Sequence, residues 1–170
     1  MIAAEKGFDD LVSLLLDQKS IMPDLQCLHS NRCFTASLVA IDFGQQGCFR
    51  LLPHRSDRGA KDRHGQGAMW LAAASGHTSI VSELLKWPEV KLEYADISLC
   101  GNPLTEAARG NHQEAALLLL PHIKQKSYSS CGITPIHCAT LVGSHGLPEQ
   151  ILAQDASLVD HKVDFEVHKP

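Results

Sequence analysis

The sequence predicts an all-α solenoid of about five stacked helix-turn-helix units with hairpin loops. Two patterns point to this fold class: a segment with a conspicuous alanine and glycine recurs along the chain, and each copy is followed by apolar residues at helical spacing. Composition agrees, because only 5% of the 170 residues are aromatic and a core must therefore be built from small and branched aliphatic side chains.

The recurring segment is clearest at residues 65–77 and 132–144, which share a turn glycine, an apolar anchor, an alanine and a second glycine in register. Related segments occur at residues 3–7, 35–44 and 102–112, so five units result. One alanine per unit occupies the same register position, with successive steps of 37, 32, 35 and 32 residues: Ala3, Ala40, Ala72, Ala107 and Ala139. These steps scatter around one supersecondary unit of about 33 residues.

The five units are predicted to form one domain, as a chain of this length normally does. The domain covers residues 1–162, and residues 163–170 are a tail or the start of a further repeat. The approximate unit boundaries are 1–30, 31–63, 64–97, 98–130 and 131–162.

Two units carry strong start signals for a first helix. In Asn102-Pro103 and in Thr134-Pro135, a side-chain oxygen stands at the N-cap and a proline at the first helical position. The oxygen accepts a hydrogen bond from an amide that would otherwise be unpaired, and proline has no amide hydrogen to leave unpaired. We therefore expect helices to begin at Pro103 and Pro135.

A second apolar pattern predicts a second helix in each unit. Its residues lie four, five, eight and nine positions after the register glycine or its equivalent, which places them on one helical face. In the first, third and fourth units they are Leu11, Val12, Leu15, Leu16, Ile80, Val81, Leu84, Leu85, Ala115, Ala116, Leu119 and Leu120. Second helices are expected to end at Pro53, Pro88 and Pro121, because proline blocks continuation. Helices this short are marginal alone, so the units must stack.

The connections between units differ in length. The 37-residue step between the first two units predicts an insertion within Asp17 to Asn31, in the form of a longer loop. The polar segments 89–100 and 123–131 are expected to project as hairpins or loops.

Residues 134–139, with the sequence Thr-Pro-Ile-His-Cys-Ala, resemble the Thr-Pro-Leu-His-x-Ala helix start of ankyrin repeats. Residues 72–85 resemble the rest of an ankyrin unit nearly position for position. The resemblance covers about residues 1–160, and five units in register make it specific. It implies an ankyrin-repeat solenoid.

Three units depart from the ankyrin pattern. Gly67-Ala68 replaces Thr-Pro in the third unit, Ser37 replaces the apolar anchor in the second, and Thr140 replaces the second alanine in the fifth. We expect these units to be less stable. A weaker resemblance connects the chain with long ankyrin arrays that carry a protein kinase domain, but this sequence contains no kinase motif.

The ankyrin resemblance implies a non-catalytic scaffold for protein–protein interaction. Ankyrin stacks present hairpin tips and first helices along one concave surface, where the partner protein binds. By register, the predicted partner-binding residues are Arg32, Phe34, Asp42, Phe43, Arg63, His64, Gln66, Ser75, Leu99, Arg109, Ser130, Ile133, Leu141 and Val142. Exposed arginines and large apolar side chains typically dominate interface energies, so this mixture favours a protein partner.

The alternative is a degenerate structural or spacer segment of a longer ankyrin-repeat protein, including a kinase-linked one, with no binding of its own. The irregular first two units support that alternative. Neither end carries a polar capping repeat, so self-association through the uncapped ends is also expected.

Net charge and hydropathy exclude some classes of partner and indicate where the protein is located. The formal net charge of −4 provides no basic surface for nucleic acid or anionic lipid. The apolar run Ala115 to Leu120 is far shorter than the roughly 20 residues of a membrane-spanning helix. The first residues do not resemble a secretory signal, and the six scattered cysteines are expected to be reduced thiols. The sequence therefore predicts an intracellular, cytoplasmic protein, with a nuclear or cytoskeletal location as the alternatives.

Two cysteine–histidine clusters invite a chemical interpretation. Cys27, His29 and Cys33 would supply three zinc ligands, but a fourth ligand at suitable spacing and paired Cys-x-x-Cys knuckles are absent. His137 and Cys138 resemble a base beside a nucleophile, but in the ankyrin pattern the histidine is structural and the cysteine is a small core or surface residue. We therefore predict no metal site.

No other motif indicates catalysis. The glycine-containing segments 44–47 and 65–67 lack the Lys-Ser/Thr of a P-loop and are predicted to be turns. The sequence contains no Ser-His-Asp order, zinc-protease motif or evident carboxylate pair. We expect no enzyme activity, no catalytic residue and no cofactor.

Overall fold

The computed structural model describes residues 1–18, 20–29, 32–52, 60–87, 101–122 and 134–154. In these ranges the chain forms helices arranged as five successive pairs. The helices are α1 Ile2–Lys6, α2 Asp9–Leu16, α3 Ala36–Asp42, α4 Gln46–Leu51, α5 Ala68–Ala74, α6 Thr78–Leu84, α7 Pro103–Arg109, α8 Gln113–Leu119, α9 Pro135–Leu141 and α10 Leu147–Gln154. The predictions for Pro53, Pro88, Leu99, Ser130, Ile133, the connecting loops 89–100 and 123–131, and the tail 163–170 lie outside the described residues.

The helix pairs stack into two layers. The first helices α1, α3, α5, α7 and α9 form one layer in which each contacts the next. The second helices form the other layer, with contacts between α2 and α4, α6 and α8, and α8 and α10. Between α4 and α6, the rings of Phe49 and Trp87 are 5.2 Å apart, and Arg50 Nε donates to both carboxylate oxygens of Glu83 at 2.9 and 3.0 Å. The predicted all-α repeat solenoid is confirmed.

Small residues allow the first helices to approach one another closely. The five register alanines lie one on each first helix, and all are at most 8% exposed. A larger side chain at these positions would force neighbouring helices apart, since packed interiors have little free volume.

Within each pair, a residue in the left-handed conformation reverses the chain. Gly7, Gly44, Gly76 and Gly143 occupy this position with φ between 67° and 73°, and Asn111 takes it in the fourth unit with φ 58°. Asparagine is one of the few residues with a side chain that enters this region readily.

In the second, third and fourth units, the residue after the turn ties its unit to the preceding one. Gln45 Nε2 donates to the Glu5 carbonyl at 3.0 Å. The Nε2 atoms of His77 and His112 lie 3.1 Å from the carbonyls of Asp42 and Ala74. Side chains from the turns therefore pair with carbonyl groups at the ends of first helices, where no helical partner is available.

The helix starts follow local chemistry. Asn102 Oδ1 accepts from the Thr105 amide at 2.8 Å, and Thr134 Oγ1 accepts from the His137 amide at 3.3 Å. These contacts confirm the two predicted N-caps. In the third unit, Gly67 is the N-cap and makes no side-chain cap bond, as its departure from the repeat pattern implies.

The end of the fourth second helix differs from the prediction. Helix α8 ends at Leu119, and Pro121 lies inside a short 3₁₀ helix, Leu120–His122, that prolongs the chain direction by one turn. Proline fits there because the tighter turn needs no amide hydrogen at that position.

The insertion between the first two units contains a strand as well as a loop. Cys27–His29 forms β1 and pairs antiparallel with β2, Arg32–Phe34. The hairpin leads directly into the Thr35 cap of α3, and Gln26 Nε2 reaches across to the Lys61 carbonyl at 2.9 Å.

The second helices are buried unequally. In the third and fourth units the predicted apolar face is confirmed, because Ile80, Val81 and Leu84 are fully buried and the residues of α8 behave alike. In α2 only half of the predicted face is buried: Val12 is buried and Leu16 packs partly buried against the core, but Leu11 and Leu15 remain 43% and 38% exposed. Periodicity identifies a face, but its burial requires a neighbouring unit on that side.

Candidate partner-binding surface

The C-terminal ends of the first helices provide equivalent surface positions in successive units. Phe43, Ser75, Gly110 and Val142 are the C-caps of α3, α5, α7 and α9. Because neighbouring first helices pack side by side, these ends follow one another along one edge of the solenoid.

The apolar members of this edge are well exposed. Phe43 is 43% exposed, Leu141 is 85% exposed and Val142 is 40% exposed. Asp42 and Ser75 are half-buried beside them. Two apolar sites therefore lie at the second and fifth units, with more polar positions between them.

Two predicted contact residues are buried, so their assignment to the surface is wrong. Phe34 is fully buried in the core at the end of β2, and Gln66 is only 4% exposed. Both precede the N-cap of a first helix by one residue, and Gly101 in the same position is also buried. In the second, third and fourth units the chain therefore enters the first helix from the core side, and the residue before the N-cap is buried.

Arg63 and His64 lie in the turn that precedes α5. Arg63 is exposed, and its Nε is 3.2 Å from His64 Nε2. The turn is held by the buried Asp62, whose Oδ1 accepts from the amides of His64 and Gln66 at 2.8 and 2.9 Å. Arg32 lies on β2, and the register pairs it with His29.

Arg109 is exposed but is already engaged by a buried carboxylate. Its Nη1 lies 3.1 Å from Glu106 Oε1 and 3.3 Å from Oε2, and Glu106 is only 6% exposed. Burial raises the pKa of Glu106, and the Arg109 charge partly offsets this. The arginine therefore balances a buried acid as well as facing solvent. The i, i+3 spacing of the two residues was the available signal in the sequence.

Glu106 Oε1 shows that this ion pair is not ideally aligned. Among the described residues, this atom is buried and accepts no well-directed hydrogen bond, although the guanidinium is near. A buried carboxylate with one partner on its solvent side makes the end of α7 sensitive to loss of Arg109.

His137 and Cys138 have structural positions. The His137 ring lies 2.8 Å from Thr134 Oγ1 and completes a capping box with the Thr134 amide, which donates to Nδ1 at 3.3 Å. Cys138 is 3% exposed, and burial raises the pKa of its thiol. His137 therefore belongs to the cap of α9, and Cys138 belongs to the core.

Cys48 is a second buried thiol. Its Sγ lies 3.0 Å from Asp9 Oδ1, and burial together with this carboxylate raises its pKa to about 12. The thiolate is the reactive form of cysteine, so Cys48 is chemically protected.

Two further features of the described residues concern metal binding and membrane insertion. Within the described ranges, no three His, Cys, Asp or Glu side chains are grouped so that they could hold a metal ion. No helix in those ranges has the length and apolar character needed to cross a bilayer.

Comparison with protein families places the repeats in a known class. A sequence model of the family described as ankyrin repeats (3 copies) matches residues 38–127 and, in a second overlapping register, residues 69–162. Together the two matches extend over residues 38–162, which is well over half of the chain.

Proposed function

The chain belongs to the ankyrin-repeat family, and we propose that it is a non-catalytic scaffold that binds a partner protein along the ends of its first helices. Ankyrin repeats are in general protein–protein interaction modules, and the family is in general non-catalytic. We call the proposed contact region the first-helix surface. Its residues are Asp42, Phe43, Ser75, Arg109, Leu141 and Val142.

The observation that carries this proposal is the exposure of large apolar side chains at equivalent ends of α3 and α9. Leu141, at 85% exposure, contributes little to the packing of its own unit. Covering such a side chain by a partner removes apolar surface from water, worth about 1.5–3 kcal/mol for a fully buried leucine or phenylalanine. Phe43 and Leu141 are therefore the expected anchors of the interface.

The spacing of the anchors limits the shape of the partner. Packed helices lie about 8–10 Å apart, so three steps separate the ends of α3 and α9 by roughly 24–30 Å. An extended segment of about eight residues covers this distance at about 3.3 Å per residue. The partner therefore contacts both anchors with an extended segment or with one face of a folded domain.

Arg109 lies between the anchors and contributes orientation. Its guanidinium is held near Glu106, so less side-chain entropy is lost when it donates to a partner than for a free arginine. A carbonyl or carboxylate of the partner opposite α7 fits this donor.

An affinity pull-down from cell lysate tests the proposal. The parent chain is compared with a first-helix variant carrying Phe43→Ala and Leu141→Ala, both at exposed positions. Arg109 is left unchanged because its removal would strand the buried Glu106. Leu118→Ala with Lys86→Glu, two exposed positions in the second-helix layer, forms the control variant.

The proposal predicts a protein that the parent and the control variant capture equally and that the first-helix variant loses. All three chains must show the same helical circular dichroism. Equal capture by all three contradicts the first-helix surface, and no specific capture by any of them favours the spacer alternative.

A further inference from the structure

The first unit exposes a large apolar surface that the core does not use. Among the described residues, most of the exposed large apolar side chains belong to the first 25 positions: Ile2, Phe8, Leu11, Leu14, Leu15, Ile21, Met22 and Leu25. Single exposed apolar residues are ordinary, but Leu15, Ile21, Met22 and Leu25 line one cavity, and a group of this kind indicates an interaction site.

A cavity of about 430 Å³ opens in this surface. Apolar residues of α1, α2 and the following loop line it, together with Ala36 and Leu52 of the second unit, and among the described lining residues only Ser20 is polar. Its volume lies within the range of about 300–1,000 Å³ that is typical of binding pockets.

The insertion between the first two units builds one wall of the cavity. Ile21, Met22, Pro23 and Leu25 belong to this loop, which the shorter unit steps elsewhere in the chain do not accommodate. Gln26 Nε2 donates a hydrogen bond to the Lys61 carbonyl at 2.9 Å. This contact holds the C-terminal end of the loop in place.

The same segment is acidic. Residues 1–25 contain five carboxylates, at positions 5, 9, 10, 17 and 24, against lysines at positions 6 and 19, so 2 − 5 gives a side-chain charge of −3. Lys6 pairs with its neighbour Glu5 at 3.1 Å. Asp17 and Asp24, both exposed, directly adjoin the lining residues Leu16 and Leu25.

We propose that this acidic apolar surface docks a basic amphipathic helix of a partner protein, which inserts one or two large apolar side chains into the cavity. The apolar lining receives the apolar face of the helix, and the flanking carboxylates attract its lysines and arginines. Met1 and Met22 line the cavity with flexible side chains that adapt to different shapes.

The negative charge of the surface favours a basic helix over a second copy of the chain or an anionic lipid. A second copy of the chain would bring two surfaces of side-chain charge −3 together, and an anionic lipid would meet the same repulsion. The proposed helix binds outside the first-helix surface, so this inference is independent of the proposed function.

Fluorescence anisotropy with a synthetic probe tests the inference on the full chain. The probe is a labelled helix of about 18 residues, five turns, with leucines on one face and lysines on the other. A matched peptide carries glutamate in place of every lysine. We expect the leucine–lysine helix to bind at least about tenfold more tightly than the leucine–glutamate helix, with an affinity that falls as salt is added.

Two variants with the same charge change separate docking from general attraction. Met22→Lys adds a charge at the cavity, where the side chain is already 75% exposed, and Leu118→Lys adds the same charge on α8 at a side chain 37% exposed. We expect about a tenfold loss of affinity for Met22→Lys and no more than about twofold for Leu118→Lys. Leu141→Lys, in the first-helix surface, should behave like Leu118→Lys.

Several outcomes overturn the inference. Equal affinity for the two peptides would show that charge does not select the occupant. Equal losses of affinity in Met22→Lys and Leu118→Lys would show that the binding is nonspecific electrostatic attraction. A dimer of the chain that Met22→Lys dissociates, seen by analytical ultracentrifugation without peptide, assigns the surface to a second copy instead. Loss of binding in Leu141→Lys alone moves the site to the first-helix surface.

Discussion

Gly76 reverses the chain between α5 and α6, and its replacement by alanine should disturb two units at once. Its φ of 72° lies in the left-handed region. A Cβ built there would lie 2.3 Å from Nδ1 of His112 and 2.6 Å from two ring carbons. That ring ties α8 to the preceding unit, because its Nε2 is 3.1 Å from the Ala74 carbonyl. Gly76→Ala must therefore displace His112 and break this contact.

The size of the effect follows from three contributions. Left-handed backbone costs an alanine about 1–2 kcal/mol. Loss of the His112 hydrogen bond costs about 0.5–1.5 kcal/mol, and the reduced freedom of the unfolded chain returns about 0.4–1 kcal/mol. We expect Gly76→Ala to lower the free energy of unfolding by roughly 1–3 kcal/mol.

Gly143 provides the matched control for this substitution. Its φ is 67°, but no described atom lies within 4 Å of a Cβ built there, so Gly143→Ala carries the backbone cost alone. Urea unfolding followed by far-ultraviolet circular dichroism should show Gly76→Ala to be more costly by about 0.5–1.5 kcal/mol, the value of the broken hydrogen bond. In a chain that already carries His112→Ala, this excess should disappear.

Equal costs for Gly76→Ala and Gly143→Ala would refute this reasoning. An excess that persists after His112→Ala would also refute it, because the clash would then lie with another group. Either result would mean that the turn side chains do not couple the units.

Three further predictions concern the fold and its electrostatics. Asn111→Gly, at φ 58°, should raise the free energy of unfolding by up to about 1 kcal/mol in urea titrations, because glycine carries no left-handed strain. Leu141→Ala, at 85% exposure, should cost less than about 0.5 kcal/mol, whereas Ile151→Ala, fully buried in α10, should cost about 2–4 kcal/mol in the same assay. Burial raises the pKa of Glu106 above its ordinary 4.5, so the folded chain binds this proton more tightly than the unfolded chain; its contribution to stability should be greatest below pH 4.5 and decline as pH rises through the folded pKa. Unfolding at a series of pH values should show that Glu106→Gln removes this decline and Arg109→Gln makes it steeper.

Repeat period and local capping made the fold predictable from the sequence. The register alanines recur because a close approach of first helices tolerates only small side chains, and each of them is buried. Asn102 and Thr134 cap their helices as expected, since a cap depends on residues three positions apart and little else. Such local rules hold independently of the tertiary contacts that the rest of the chain makes.

The surface was harder to predict because register alone does not show which way the chain enters a helix. Phe34 and Gln66 were assigned to the partner surface, but both residues, each directly before an N-cap, are buried. The exposure of part of α2 could not be predicted either, because the spacing of its apolar residues matches that of the buried α6. In both cases burial depends on which residues are neighbours in space.

The repeat pattern did not predict the hydrogen bonds between units. His77 and His112 occupy equivalent positions after a turn, and their shared position was the available signal. Gln45 performs the same role with a different side chain, so a search for one residue type would have missed it.

Hydrogen–deuterium exchange of the chain alone and with the captured partner tests the central claim most directly. Peptides that contain residues 42–45, 74–77 and 141–144, at the ends of α3, α5 and α9, should become protected on binding. Peptides from the second helices α4, α6 and α8 should exchange as before. Protection confined to the second helices, or no protection in the three first-helix segments, would contradict binding along the first-helix surface.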